Sequence, residues 1–188
     1  MAKKNIGKHF DIYPMPVVLI GTVTDGKPNF MTAAWITKLN SSPPMLGVSL
    51  GERQHTAKGI RQTGEFSVSY PSVDQAVLAD YCGLVHGYEE DKTEHLEIFS
   101  GALPSAPMVR QCPVALECRL KQTVELPHDF FFIGEVVNVY ASESVLTDGK
   151  IDPVKLRPFV LTMPGNGYWA LGEYLGPAWE IGKALLKS

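Results

Sequence analysis

The run Val17-Val18-Leu19-Ile20-Gly21-Thr22-Val23-Thr24, then Asp25-Gly26, then Asn29-Phe30-Met31-Thr32-Ala33-Ala34-Trp35-Ile36, carries the architecture of this chain. The first segment is β-branched and apolar, as a strand should be. Asp-Gly is a favoured pair for a tight hairpin turn. The third segment is the return strand. Working outward, Met45-Leu46-Gly47-Val48-Ser49-Leu50 follows Pro43-Pro44 as a third strand, and Glu65-Phe66-Ser67-Val68-Ser69-Tyr70 is a fourth. Pro113 to Leu126 alternates apolar and polar residues, the pattern of a half-buried strand. Phe130 to Tyr140 is a long strand in which Gly134 marks a bulge or bend. Asp148-Gly149 marks another turn, and Pro158 to Thr162 and Tyr168 to Leu171 are short strands.

Helical signals are fewer. Thr56 is placed to N-cap a short helix ending near Gly64. Ser72 and Gln75 have capping-box spacing ahead of a second helix ending near Gly83. A third is expected between Glu89 and Glu97, and the tail from Pro177 reads as a helix with Pro at N1. Many antiparallel strands joined by tight turns predict a mainly β protein, a closed or nearly closed barrel capped by a few helices. Pattern alone does not separate such a barrel from a sandwich. With no repeat and no linker, residues 1–188 are expected to form one domain.

Composition narrows the function classes. The chain has 188 residues, 45% of them apolar and 20% charged, enough for a core without disulfide staples. A net charge of −3 argues against nucleic-acid binding, which wants a basic face. No apolar run reaches the length of a membrane span. No apolar segment follows the basic N-terminus, so a cytoplasmic location is expected. Cys82, Cys112 and Cys118 are odd in number and lack C-x-x-C spacing, so neither a disulfide framework nor a metal site is indicated.

No dinucleotide fingerprint, P-loop, nucleophile elbow or zinc-protease motif occurs. The chemistry is concentrated between Asn29 and Thr56. Thr32-Ala33-Ala34 sets small residues on a strand, where a flat ring can lie against the backbone; the same residues suit tight strand packing. Arg53-Gln54-His55-Thr56 follows a strand and opens a helix. A cation, a hydroxyl and free helix N–H groups together make an anion site. A solvated Arg beside a routine helix start is the equal alternative.

Tyr13-Pro14-Met15-Pro16, Asn29 to Trp35, Ser42-Pro43-Pro44, Gly64-Glu65-Phe66-Ser67-Val68, Asp80-Tyr81-Cys82-Gly83 and Ile133-Gly134-Glu135-Val136 occur in that order. Together they resemble the flavin reductase-like, FMN-binding split-barrel family, in particular its flavoredoxin branch. The likeness covers nearly the whole chain. It implies a six-stranded Greek-key split barrel that works as a homodimer, with FMN held non-covalently near the subunit interface. Electrons would come from NAD(P)H or a redox protein and leave to a small acceptor or a partner protein.

The resemblance also implies contacts. Asn29, Thr32, Ala33, Ala34 and Trp35 would line the flavin, and Ser49 and Leu50 would lie near its ribityl chain. Arg53, His55 and Thr56 would hold the phosphate, with Lys92 as a second cation. Cys82 and Gly83 would close the pocket. His128 stands near the position where many family members carry a histidine beside the flavin, but its spacing to Gly134 is one residue long. A loop histidine at a strand entrance is the alternative. From the residues alone, a barrel that binds a small ligand without catalysis is the competing function.

Overall fold

A computed structural model describes residues 1–8 and 13–186. Strands β1 (Met15–Pro16), β2 (Val18–Thr24), β3 (Lys27–Ala33), β4 (Ile36–Ser41) and β5 (Pro44–Gly51) come first. Helix α1 (His55–Thr63) and strand β6 (Glu65–Tyr70) follow. Helix α2 (Ala76–Leu84) precedes the short pair β7 (Ile98–Phe99) and β8 (Met108–Val109). The long strands β9 (Val114–Glu125) and β10 (Asp129–Ala141) complete the main sheet. The rest is peripheral: β11 (Leu146–Thr147), β12 (Lys150–Ile151), α3 (Pro153–Leu156), β13 (Phe159–Thr162) and β14 (Gly167–Ala170).

The main sheet has the order β3-β2-β6-β9-β10-β5-β4, with every pairing antiparallel. Its two edge strands, β3 and β4, are separated in the chain only by Ala34 and Trp35. They are the halves of one bent strand. The first half bonds to β2 and the second to β5, and the Trp35 carbonyl accepts the Ser49 N–H at 2.9 Å inside the bend. Counted this way, the expected six-stranded split barrel is what forms. No ladder joins β3 to β5, so the wall is open along that seam.

Burial explains the sequence pattern. Val18 and Ile20 of β2 point into the barrel with Val48, Phe66, Val68 and Phe132. Val17 and Leu19 point out, into a second core with Phe30, Ala79 and Cys82 beneath α2. Because both faces are covered, this stretch reads as a continuous apolar run rather than an alternation. Ala57 and Ile60 of α1 stop one end of the barrel. Buried Glu117 on β9 anchors the neighbouring loop: its carboxylate accepts from the Leu103 N–H, Asn138 Nδ2 and the Tyr140 hydroxyl at 2.8–2.9 Å.

Turn chemistry follows expectation at Asp25-Gly26, where both residues have positive φ (51° and 81°), as a type I′ turn needs. Gly64 closes α1 in the left-handed region. The Ser72/Gln75 capping box is present. Gly134 sits at a register shift between β9 and β10.

Three local expectations are corrected. The N-cap of α1 is Gln54, and Thr56 lies inside the first turn because its hydroxyl is engaged elsewhere. The segment Glu89 to Glu97 holds only the 3₁₀ turn Lys92–His95, capped by Asp91. The tail from Pro177 forms a turn and the 3₁₀ segment Ile181–Leu185 instead of an α-helix; Gly182 weakens the helical preference there, and the large side chains of the tail are exposed rather than packed. Residues 187 and 188 of that tail lie outside the described residues. Among the described residues, no helix is long and apolar enough to cross a membrane.

Candidate functional site

The barrel seam, the start of α1 and the end of α2 meet around one cleft of about 130 Å³. Asn29 and Thr32 reach it from β3, Gln54, His55 and Thr56 from the start of α1, and Cys82 and Gly83 from α2. Lys92, His86 and Gly87 close it from the loop beyond α2.

Three features give it anion character. First, α1 begins without a side-chain cap, and no acidic residue stands in its first turn. The N–H groups of the first turn have no intrahelical acceptor and carry the positive end of the helix dipole. Second, Asn29 Nδ2 donates to Thr56 Oγ1 at 2.7 Å. The Thr56 oxygen thereby acts as acceptor, and its own proton remains available to a ligand. Third, Lys92 is 4% exposed, and its ammonium donates to the Phe30 carbonyl at 2.8 Å and the Cys82 carbonyl at 2.9 Å. Burial lowers its pKa from the ordinary lysine value, and the Cys82 thiol opposes that slightly.

His55 borders the same cleft. Desolvation lowers its pKa below 6.5; Asp25 pulls it back up, while Lys58 and Lys92 push it further down. The Cys82 thiol is 1% exposed and is pushed up to about 11 by burial, against the Lys92 charge. It is a protonated packing group, which removes it as a nucleophile or thiolate redox partner at neutral pH. Thr32 is committed as well: its hydroxyl donates to the Ala79 carbonyl, tying β3 to α2.

The remaining predicted residues lie around this centre. Ala33 is buried, Ala34 is half-buried and Trp35 is 52% exposed, so the bend forms an open shelf at the seam. Among the described residues β3 ends the sheet, so its outer edge offers backbone donors and acceptors with no strand partner. Ser49 is half-buried beside the bend, its N–H taken by Trp35. The Leu50 side chain lies in the barrel core at 2% exposure, leaving only its backbone to face a ligand. Arg53 lies outside the cleft. Its side chain is 96% exposed, 3.9 Å from Glu52, and lines an adjoining groove with Gln54 and His128. His128 is exposed in the β9–β10 loop, where its carbonyl accepts the Glu52 N–H.

Sequence reasoning passed over Gln54, His86 and Gly87. Gln54 lay inside the quoted Arg53–Thr56 run. Gly87 has no local signal, yet a methyl at that position would overlap Asn29 Oδ1. Only glycine lets this loop close on the Asn29–Thr56 pair.

A split barrel with an anion cleft at its seam defines a class of flavin-associated folds, and comparison with known proteins agrees. Residues 10–157 match the model of the flavin reductase like domain, and the chain belongs to that family. It is similar to the solved flavoredoxin of Methanosarcina acetivorans, at 43% identity, covering 99% of this chain and 100% of that one, with a TM-score of 0.96. It is also similar to the flavoredoxin of Desulfovibrio vulgaris (Miyazaki F), at 36% identity, 97% and 100% coverage and a TM-score of 0.90. An FMN-binding domain of a flavin reductases-like enzyme from Shewanella baltica is 28% identical over 86% of this chain and 88% of that one, with a TM-score of 0.73.

Proposed function

We propose that this protein holds FMN without a covalent link and passes electrons through it. The observation that carries this reading is the cleft. An uncapped helix start, a ligand-free Thr56 proton and a buried ammonium converge beside an edge strand of small residues. The donor set suits a phosphate dianion, and the shelf from Thr32 to Trp35 suits a flat ring. A cleft of about 130 Å³ encloses a head group only. Whole-ligand pockets run to roughly 300–1,000 Å³, so the ring would lie on the open shelf. A terminal phosphate fits this enclosure better than one extended by an adenylate, which favours FMN over FAD.

In this reading the N–H groups of the first turn of α1, with Thr56 and Lys92, hold the phosphate. Asn29 keeps the Thr56 proton aimed at it, and Gly87 lets the loop close over both. The outer-edge backbone of β3 and the bend at Ala34-Trp35 orient the ring's polar edge, and Trp35 covers part of it. Arg53 adds long-range attraction from the rim, and His128 stands on that same rim. Bound FMN supplies the redox centre, so no side-chain acid–base pair is required of the chain. The donor is NADH, NADPH or a redox protein, and the acceptor is a small molecule or a partner protein. The working unit is a homodimer in the cytoplasm.

Stopped-flow reduction of the FMN-loaded protein by NADH, NADPH and candidate protein donors, side by side, tests the reading. Bleaching of the flavin band by at least one donor at a catalytically useful rate is expected. A loaded protein that dithionite reduces but none of these donors does is a ligand-binding barrel without catalysis. A protein that stays colourless with excess FMN refutes both.

A further inference from the structure

Beyond β14, residues 171–186 make no hydrogen bond or ion pair to the barrel among the described residues. Their backbone hydrogen bonds stay local: Glu180 and Ile181 donate to the Pro177 carbonyl, Lys183 to Glu180 and Leu186 to Lys183. The side-chain pair Lys183–Glu180 is internal too. Yet this tail is rich in large apolar groups. Leu171, Tyr174, Leu175, Trp179, Ile181, Leu185 and Leu186 are all more than half exposed, Leu175 at 87% and Trp179 at 92%. A lone water-soluble domain does not leave such a stripe uncovered.

On the barrel, an apolar groove of about 360 Å³ lies between β4–β5 and β9–β10. Ile36, Met45, Tyr70, Leu116, Val136 and Val139 line it. Val139 is 53% exposed there.

We propose that residues 171–186 form an arm that leaves its own barrel and lies across this face of a second copy of the chain, one or two of its large side chains seated in the groove and the rest against the surface around it, the exchange running in both directions. The inference rests on the homodimer reading above and says what holds the two copies together. The areas favour a second copy. An aromatic side chain covers roughly 150–250 Å², and an aliphatic one roughly 60–120 Å². The arm therefore offers on the order of 600–1,000 Å² of apolar surface, and a standard interface buries about 800 Å² per partner. One arm given and one received per chain makes an isologous, closed contact.

Sedimentation equilibrium on the full-length chain tests this, beside three full-length variants. One carries Leu175→Asp with Trp179→Asp, the second carries Val139→Asp, and the third carries Trp179→Ala. These side chains are exposed in the single chain, so the barrel does not depend on them, and far-UV circular dichroism checks that. A parent dimer, with both charged variants monomeric and Trp179→Ala dissociating at least tenfold more readily, is the expected result. A parent dimer that survives the arm substitutions overturns the arm while leaving the homodimer standing. A dimer that survives Val139→Asp overturns the groove as its seat. A monomeric parent overturns the homodimer, and the arm with it. If a charged variant does not fold, Trp179→Ala decides alone: a dimer as tight as the parent contradicts the proposal.

Discussion

Replacing Lys92 by Met keeps the length and burial of the side chain and removes its charge and donors. In the native chain the ammonium stitches β3 to the end of α2 through Phe30 and Cys82. Each hydrogen bond from a charged donor is worth about 1.5–3 kcal/mol, and each orphaned carbonyl costs a further ~1–3 kcal/mol. Against that, the variant no longer desolvates an ammonium, a penalty of several kcal/mol. The side chain is 4% exposed, so water does little to soften either side. The two bonds and two carbonyls together come to about 5–12 kcal/mol, the relieved penalty returns several of these, and the lower end leaves a net loss of about 2–4 kcal/mol. For a domain of this size each kcal/mol lowers the melting midpoint by roughly 2–4 °C, which gives a drop on the order of 5–15 °C. The assay is thermal unfolding of flavin-free protein by near-UV circular dichroism at neutral pH, so that ligand binding adds nothing. A midpoint within about 2 °C of the parent would refute the claim that this buried cation holds the cleft together.

Other outcomes follow from the same geometry. His55 has a folded pKa below its unfolded value of 6.5. The unfolded chain therefore binds more protons below pH 6.5, and stability falls as pH drops through that window. His55→Gln should flatten this acid-side slope in denaturant titrations; an unchanged slope would assign it to other groups. At Gly134 an added methyl would sit 2.5 Å from Phe66 Cζ inside the barrel. Gly134→Ala should cost about 1–3 kcal/mol by overpacking, and an unaltered urea midpoint would contradict the tight approach of Phe66 to this position. The thiols of Cys82, Cys112 and Cys118 are 4% exposed or less and are pushed up to about 11, 12 and 12. An aromatic disulfide reagent in mildly alkaline buffer should titrate none of them in the native protein and all three in guanidinium; prompt native reaction would mark an accessible thiolate.

The barrel was legible because its strands carry strong local signals. Asp25-Gly26 demands a hairpin turn, and Gly134 interrupts a strand at the point where the register slips. The closure was not legible as pattern. Only the bend at Ala34-Trp35 lets one strand serve both edges of the sheet, and two ordinary residues carry no such signal. The site divides in the same way. The Arg53–Thr56 run announced a helix start suited to an anion, and the family resemblance set Arg53 on the phosphate; in the single chain its side chain stands exposed on the rim, along the groove it shares with Gln54 and His128. Thr56 looked like a cap because threonine caps helices. Its hydroxyl is instead held by Asn29, 27 positions away, and long-range pairings of that kind leave no local trace. The tail failed as a helix because helix stability comes from packing, and in the single chain its large side chains are exposed rather than packed.

The central claim is that the cleft grips a phosphate, and comparing FMN with riboflavin by quenching of flavin fluorescence tests it most directly. The two ligands share the ring and ribityl chain, so their difference reports the phosphate alone. Two charge-assisted hydrogen bonds of about 1.5–3 kcal/mol each predict that FMN binds at least roughly a hundredfold more tightly. Equal dissociation constants for the two would contradict it.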